Sequence, residues 1–112
     1  MTPAVRVKDG VLFTLIAPAG VAILAAIWRA SQELGFDLTI TSACDGAHSG
    51  PDDPHHHGEA YDVRSHDCPD KDEAFACIMK SLPETQFFGW LEDKGLSNEH
   101  FHFQIRKGTV YP

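Results

Sequence analysis

Residues 100–105 of this chain read His-Phe-His-Phe-Gln-Ile, a strict alternation of polar and apolar side chains. Successive side chains of a β-strand point to opposite faces of its sheet. One face of this segment therefore carries Phe101, Phe103 and Ile105, and the other carries His100, His102 and Gln104. The aromatic row can pack against helices while the polar row faces a site. That combination asks for a sheet with one covered side and one chemically active side.

The rest of the composition fits such a domain. A chain of 112 residues, 43% of them hydrophobic, suits one compact domain with a real core and is too apolar for a disordered segment. The formal charge of −7, with Lys and Arg scattered, argues against nucleic acid, which requires a basic face. The longest apolar stretch, residues 21–27, is too short for a bilayer, and no basic-then-apolar leader opens the chain. The expectation is a monomer that is cytoplasmic as synthesised, without a membrane span. An odd count of three cysteines without CxxC spacing speaks for free thiols, with a Cys44–Cys68 bridge as the alternative.

Local patterns predict the elements. Residues 5–16, around the turn signal Asp9-Gly10, suggest a short strand pair. From Pro18 to Leu34 the period is helical, with Leu24, Ile27, Trp28, Ser31 and Leu34 on one face and Trp28 expected in the core. Strands are expected at 36–43, 59–64, 85–91 and 100–106. A second helix opens at Pro69-Asp70 with Asp70 and Glu73 spaced as a capping box, carries an apolar face of Phe75, Ile78, Met79 and Leu82, and stops at Pro83. This order predicts an α+β fold, a small antiparallel sheet with helices packed on one side. Residues 44–58 form a loop long enough in so small a domain to suggest function.

Five of the seven histidines lie in two clusters, His55-His56-His57 and His100 with His102. In the stretch HHHGEAYD, His55 precedes Asp62 by seven positions. Gly58 allows a tight turn from loop to strand, and Ala60 shares the strand face of Asp62. A loop histidine and a strand carboxylate can then converge on one point, where His102 supplies a third ligand. Zinc accepts such nitrogen and oxygen donors, and a catalytic site uses three of them with a fourth position open.

The pattern His-x-x-Gly-x-Ala-x-Asp followed by His-x-His resembles the LAS-type zinc metallopeptidases. These comprise D-Ala-D-Ala carboxypeptidases, phage L-alanyl-D-glutamate endopeptidases and the related hedgehog domains. The segment TSACDGAHS is similar to the Thr-Ser-x-x-Asp-Gly-x-His stretch of small phage-type members, so the likeness runs over residues 17–104. It implies a hedgehog/DD-peptidase-like fold and one Zn2+ on His55, Asp62 and His102. It implies Glu99, three residues before the last ligand, as general base, with Glu92 and Asp93 in reserve, and His100 beside the metal as a donor to the oxyanion. The implied substrate is a peptidoglycan stem peptide, cut at D-Ala-D-Ala or L-Ala-D-Glu bonds. A phage or prophage lysis enzyme, released by lysis or a holin-type route, or a bacterial peptidase would fit. A zinc-binding interaction domain without catalysis is the alternative. A cupin is excluded because too few residues follow His102 to supply its remaining ligands.

The chain departs from the family pattern in three places. Asp53 stands where many members have Ser, and Ser97 where some phage-type members have an acid. Cys44-Asp45-Gly46 occupies the region that often holds an Arg for the substrate carboxylate. Arg64 is the nearest cation for that task. His48 either shapes the substrate loop or is an exposed loop histidine.

Overall fold

A computed structural model describes residues 2–111 of the chain. Its elements are β1 (Val5–Val7), α1 (Pro18–Leu34), β2 (Leu38–Ser42), a 3-10 turn (Pro54–His57), β3 (Ala60–Arg64), α2 (Lys71–Met79), β4 (Phe87–Glu92) and β5 (His100–Ile105). The strands form one sheet in the order β1-β2-β3-β5-β4. The α+β class expected from the sequence is present, but the sheet is mixed. β1 runs parallel to β2, and every other pairing is antiparallel.

The expected strand pair at the start is replaced by one strand and a strap. After the turn at Gly10 (φ 89°), the chain leaves the sheet. Leu12 N–H donates to Asp45, Cys44 N–H to the Leu12 carbonyl, and Ala17 N–H to the Gly58 carbonyl. Residues 11–17 thus spend their backbone bonds on the 44–58 loop instead of on β1. A long loop needs partners for its backbone polar groups, and this strap supplies them.

α1 begins at Pro18 and ends at Gly35 (φ 84°), whose N–H donates to the Ser31 carbonyl. Its buried stripe is Ala19, Ile23, Ala26, Ile27, Ala30 and Ser31, one residue back from the face expected. Trp28 is 56% exposed, so it is not core. The reason is volume: the sheet already presents the fully buried rings of Tyr61, Phe101 and Phe103, and three alanines on the stripe let the helix lie close to them. α2 is capped as predicted, with Asp70 accepting from Glu73 N–H, and it buries Ala74 and Ile78. Leu82, beyond its end, joins the same core.

Both helices thereby cover one face of the sheet. β5 behaves as its alternation requires: Phe101, Phe103 and Ile105 enter the core, and His100, His102 and Gln104 are left on the other face. Cys44, Cys68 and Cys77 are all free thiols, so Cys44 and Cys68 are not bridged.

Candidate metal centre

The 3-10 turn places the first histidine. Asp53 caps it, accepting from His55 N–H at 2.9 Å while its other oxygen is held by Ser49. Asp53 therefore does a capping residue's work. Gly58 (φ 68°) then turns the chain into β3, lying so close to the strap that a side chain there would meet the Leu15 carbonyl. Asp62 sits directly across from His102 in the β3/β5 register. Local sequence sets each half of the site, and strand pairing joins them.

Three donor atoms converge. His55 Nε2 lies 3.2 Å from His102 Nδ1 and 3.2 Å from Asp62 Oδ1. His102 Nδ1 lies 2.9 Å from the same Asp62 oxygen. Ligands at ordinary zinc distances in a tetrahedron stand about 3.3 Å apart, close to all three edges of this triangle. His55, Asp62 and His102 are 2%, 7% and 5% exposed, so the cluster is built inside the protein.

The outer atoms of the histidines aim their inner lone pairs. His55 Nδ1 lies 3.0 Å from the Ala43 carbonyl, an acceptor only, so Nδ1 donates and Nε2 is left for the triangle. His102 Nε2 donates to Gln104 Oε1 at 2.8 Å, and the Gln104 amide is itself anchored on the Ile105 carbonyl. Such partners fix ring orientation and raise ligand basicity in metal sites.

Electrostatics point the same way. Burial pushes the Asp62 carboxyl up, but the imidazoles of His102 and His55 beside it, with His100 nearby, hold it well below the usual carboxylate range. For His102, burial works against the charged ring, yet the bonds to Asp62 and Gln104 win and raise its pKa.

His48, in a left-handed conformation (φ 46°), stacks its ring on His55 with centroids 3.7 Å apart. Donor atoms of His48, His55 and Asp62 all lie within 4.8 Å of one another, a second group that could hold a metal ion. It shares His55 and Asp62 with the first. His48 Nε2 is also 3.1 Å from Ser42 Oγ. His56 reaches the Ala47 carbonyl, and His57 is exposed.

The other expected residues are distributed differently. Glu99, expected as the base, is turned away from the cluster: its carboxylate contacts Lys71 Nζ and Ser65 Oγ, each at 2.5 Å, and Gly95 N–H at 2.9 Å. Lys71 opens α2 on the helix side of the sheet, so the regular alternation of β5 holds through Glu99. Those bonds, the one from Lys71 foremost, hold the Glu99 carboxyl down at about 2. Asp93 is a turn residue with φ 54°, bound by Asn98. Arg64 lies 4.0 Å from Asp67 and lines a second recess together with Asp62, Glu99 and His100. His100 keeps its place beside the cluster, with Nε2 at 3.4 Å from both Asp62 Oδ2 and Glu92 Oε1.

A cleft of about 750 Å³ opens over His48, His55 and His102 and continues past Trp90 and Phe88 to Arg106. Trp90 forms its wall, its ring 4.4 Å from that of His102. The sequence reading left Trp90 and Arg106 unassigned, although the pairing of Trp90 with His102 follows once the β4/β5 register is known. Among the described residues, no helix is long and apolar enough to cross a membrane.

No protein-family model matches the chain, and no curated protein or solved structure gives a significant match.

Proposed function

We propose that this chain is a zinc-dependent peptidase with a hedgehog/DD-peptidase-like site, acting on the stem peptides of peptidoglycan. The observation that carries the metal reading is the triangle of His55 Nε2, Asp62 Oδ1 and His102 Nδ1, with edges of 2.9–3.2 Å. Three buried acceptors aimed at one point are costly without a cation or proton among them. Two neutral imidazoles and one carboxylate are donors that zinc takes readily. The substrate rests on the motif resemblance, supported by a cleft of about 750 Å³ beside the donors.

When bound, zinc would polarise the scissile carbonyl and bring the pKa of a water toward neutrality. The chain's own residues supply the rest. His55, Asp62 and His102 hold the ion, and Ala43 and Gln104 hold the histidines. His100 Nδ1 donates to the Asn98 carbonyl at 2.7 Å, so its buried Nε2, between Asp62 and Glu92, is a donor for a developing oxyanion only when the ring is an imidazolium. Trp90 and Phe88, stacked 5.3 Å apart, give the cleft an apolar wall for the substrate chain.

The test is digestion of purified muropeptides by zinc-loaded protein, read by mass spectrometry, beside His102→Ala. Products with new amine termini, absent with the variant, are expected. Stoichiometric zinc with every muropeptide intact would reject the peptidase and leave a zinc-binding interaction domain.

A further inference from the structure

We infer that Glu92, at the end of β4, is the carboxylate that takes the proton from the attacking water. This rests on the peptidase reading above and assigns the group that reading lacks.

The carboxylates near the cluster differ in what already occupies them. Asp62 belongs to the donor triangle. Asp53 lines the cleft, but both its oxygens are occupied by the turn that carries His55. The Glu99 carboxylate is enclosed by Lys71, Ser65 and Gly95, although the residue borders the recess lined by Asp62 and His100. Glu92 lines the cleft with His55 and His102, and its side chain is 40% exposed, open to a substrate and to water.

Its position is held from two sides. Trp90 Nε1 donates to Glu92 Oε2 at 3.1 Å, and the same indole covers the ring of His102. The other oxygen, Oε1, lies 3.4 Å from His100 Nε2, which in turn lies 3.4 Å from Asp62 Oδ2. Glu92 is therefore one imidazole away from a metal-facing carboxylate, with one oxygen fixed and the other turned toward the cluster. The register explains it: Glu92 pairs with His100 and Trp90 with His102, so alternation brings both to the open face. An acid or base must be within reach of its proton before its pKa matters; Glu92 borders the cleft that opens over His55 and His102, whereas the Glu99 carboxylate is taken up by Lys71, Ser65 and Gly95.

The step balances without a further reactant. As the water oxygen bonds to the carbonyl carbon, one water proton passes to Glu92. When the C–N bond breaks, that proton moves to the departing nitrogen, giving the amine and restoring the carboxylate. The second water hydrogen stays with the carboxylic acid formed.

Two measurements on zinc-loaded Glu92→Gln test this. On a cleaved muropeptide, kcat should fall by about 10²–10⁴ with KM little changed. Independently of any substrate, acetohydroxamate, whose hydroxyl proton needs an acceptor beside the metal, should bind about tenfold or more weakly. Zinc affinity by chelator competition should match wild type. Retained kcat and retained hydroxamate affinity would overturn the assignment, as would loss of zinc, which would make Glu92 a ligand. If wild type binds zinc and cleaves nothing, the peptidase reading fails while the hydroxamate comparison still decides where Glu92 acts. A large kcat loss in Glu99→Gln, with Glu92→Gln active, would return the role to Glu99.

Discussion

His102 and Asp62 face each other across β5 and β3 with Nδ1 and Oδ1 2.9 Å apart, while the far nitrogen of His102 also meets an oxygen, that of Gln104. Both ring nitrogens of His102 thus face acceptors. In the metal-free protein the ring that satisfies both is the imidazolium, in keeping with its raised pKa. This contribution is complete below the ordinary histidine value of 6.5 and fades as pH rises through the raised value.

Zinc must displace that proton. Titration calorimetry at pH 6 in buffers of different ionisation enthalpy should give about one proton released per zinc, with affinity rising toward pH 8. Heats independent of the buffer would contradict this picture of the pair.

Gln104 acts on the metal only through His102. Gln104→Leu should weaken zinc binding by about 10–100-fold while the fold persists. His57→Ala, at an exposed loop position, should leave zinc affinity as it was. Equal effects of the two would show that Gln104 does not orient the ligand.

Glu99 is assigned to stability. Its carboxyl is lowered from 4.5 to about 2 in the folded state, chiefly by Lys71, so its contribution is present above pH 4.5 and lost as pH falls through 2. Glu99→Gln should lower Tm at pH 7, and the gap from wild type should close on acidification. A gap that is constant from pH 7 to pH 2 would count against the Lys71 pairing.

Gly58 has φ 68°, and a Cβ there would lie 2.5 Å from the Leu15 carbonyl oxygen. Gly58→Ala should cost roughly 2–4 kcal/mol, from the left-handed backbone and the collision together. Because Gly58 closes the turn that carries His55, zinc affinity should fall as well. Unchanged denaturant midpoints would disprove the close approach.

The burial of α1 can be tested by a pair of truncations. Ile27→Ala, at a fully buried site, should cost about 2–5 kcal/mol. Trp28→Ala, at its exposed neighbour, should stay within about 0.5 kcal/mol. A large loss at Trp28 would restore the face read from periodicity.

These residues mark what was legible in the chain. His-Phe-His-Phe-Gln-Ile contains its own two faces, because strand alternation needs no knowledge of partners. His55, Gly58 and Asp62 were legible for a similar reason: capping, a left-handed turn and strand alternation act within a few residues. The Asp70 cap and the Pro18 to Gly35 limits of α1 were equally local.

What alternation and periodicity could not supply was the far side of each contact. The rotation of α1 depends on ring volumes contributed by strands remote in sequence, so Trp28 was misplaced by one step along the helix. Residues 11–17 are drawn off to the 44–58 loop and not paired with β1, a competition for backbone partners settled only in three dimensions, and α1 then returns the chain to lie parallel to β1 as β2. The family resemblance implied Glu99 as base, yet strand parity turned it to Lys71, and the β4/β5 register brought Trp90 and Glu92 to the open face in its place. Local backbone rules placed the donors on their own elements; only the pairing of those elements determined which groups share the space around them.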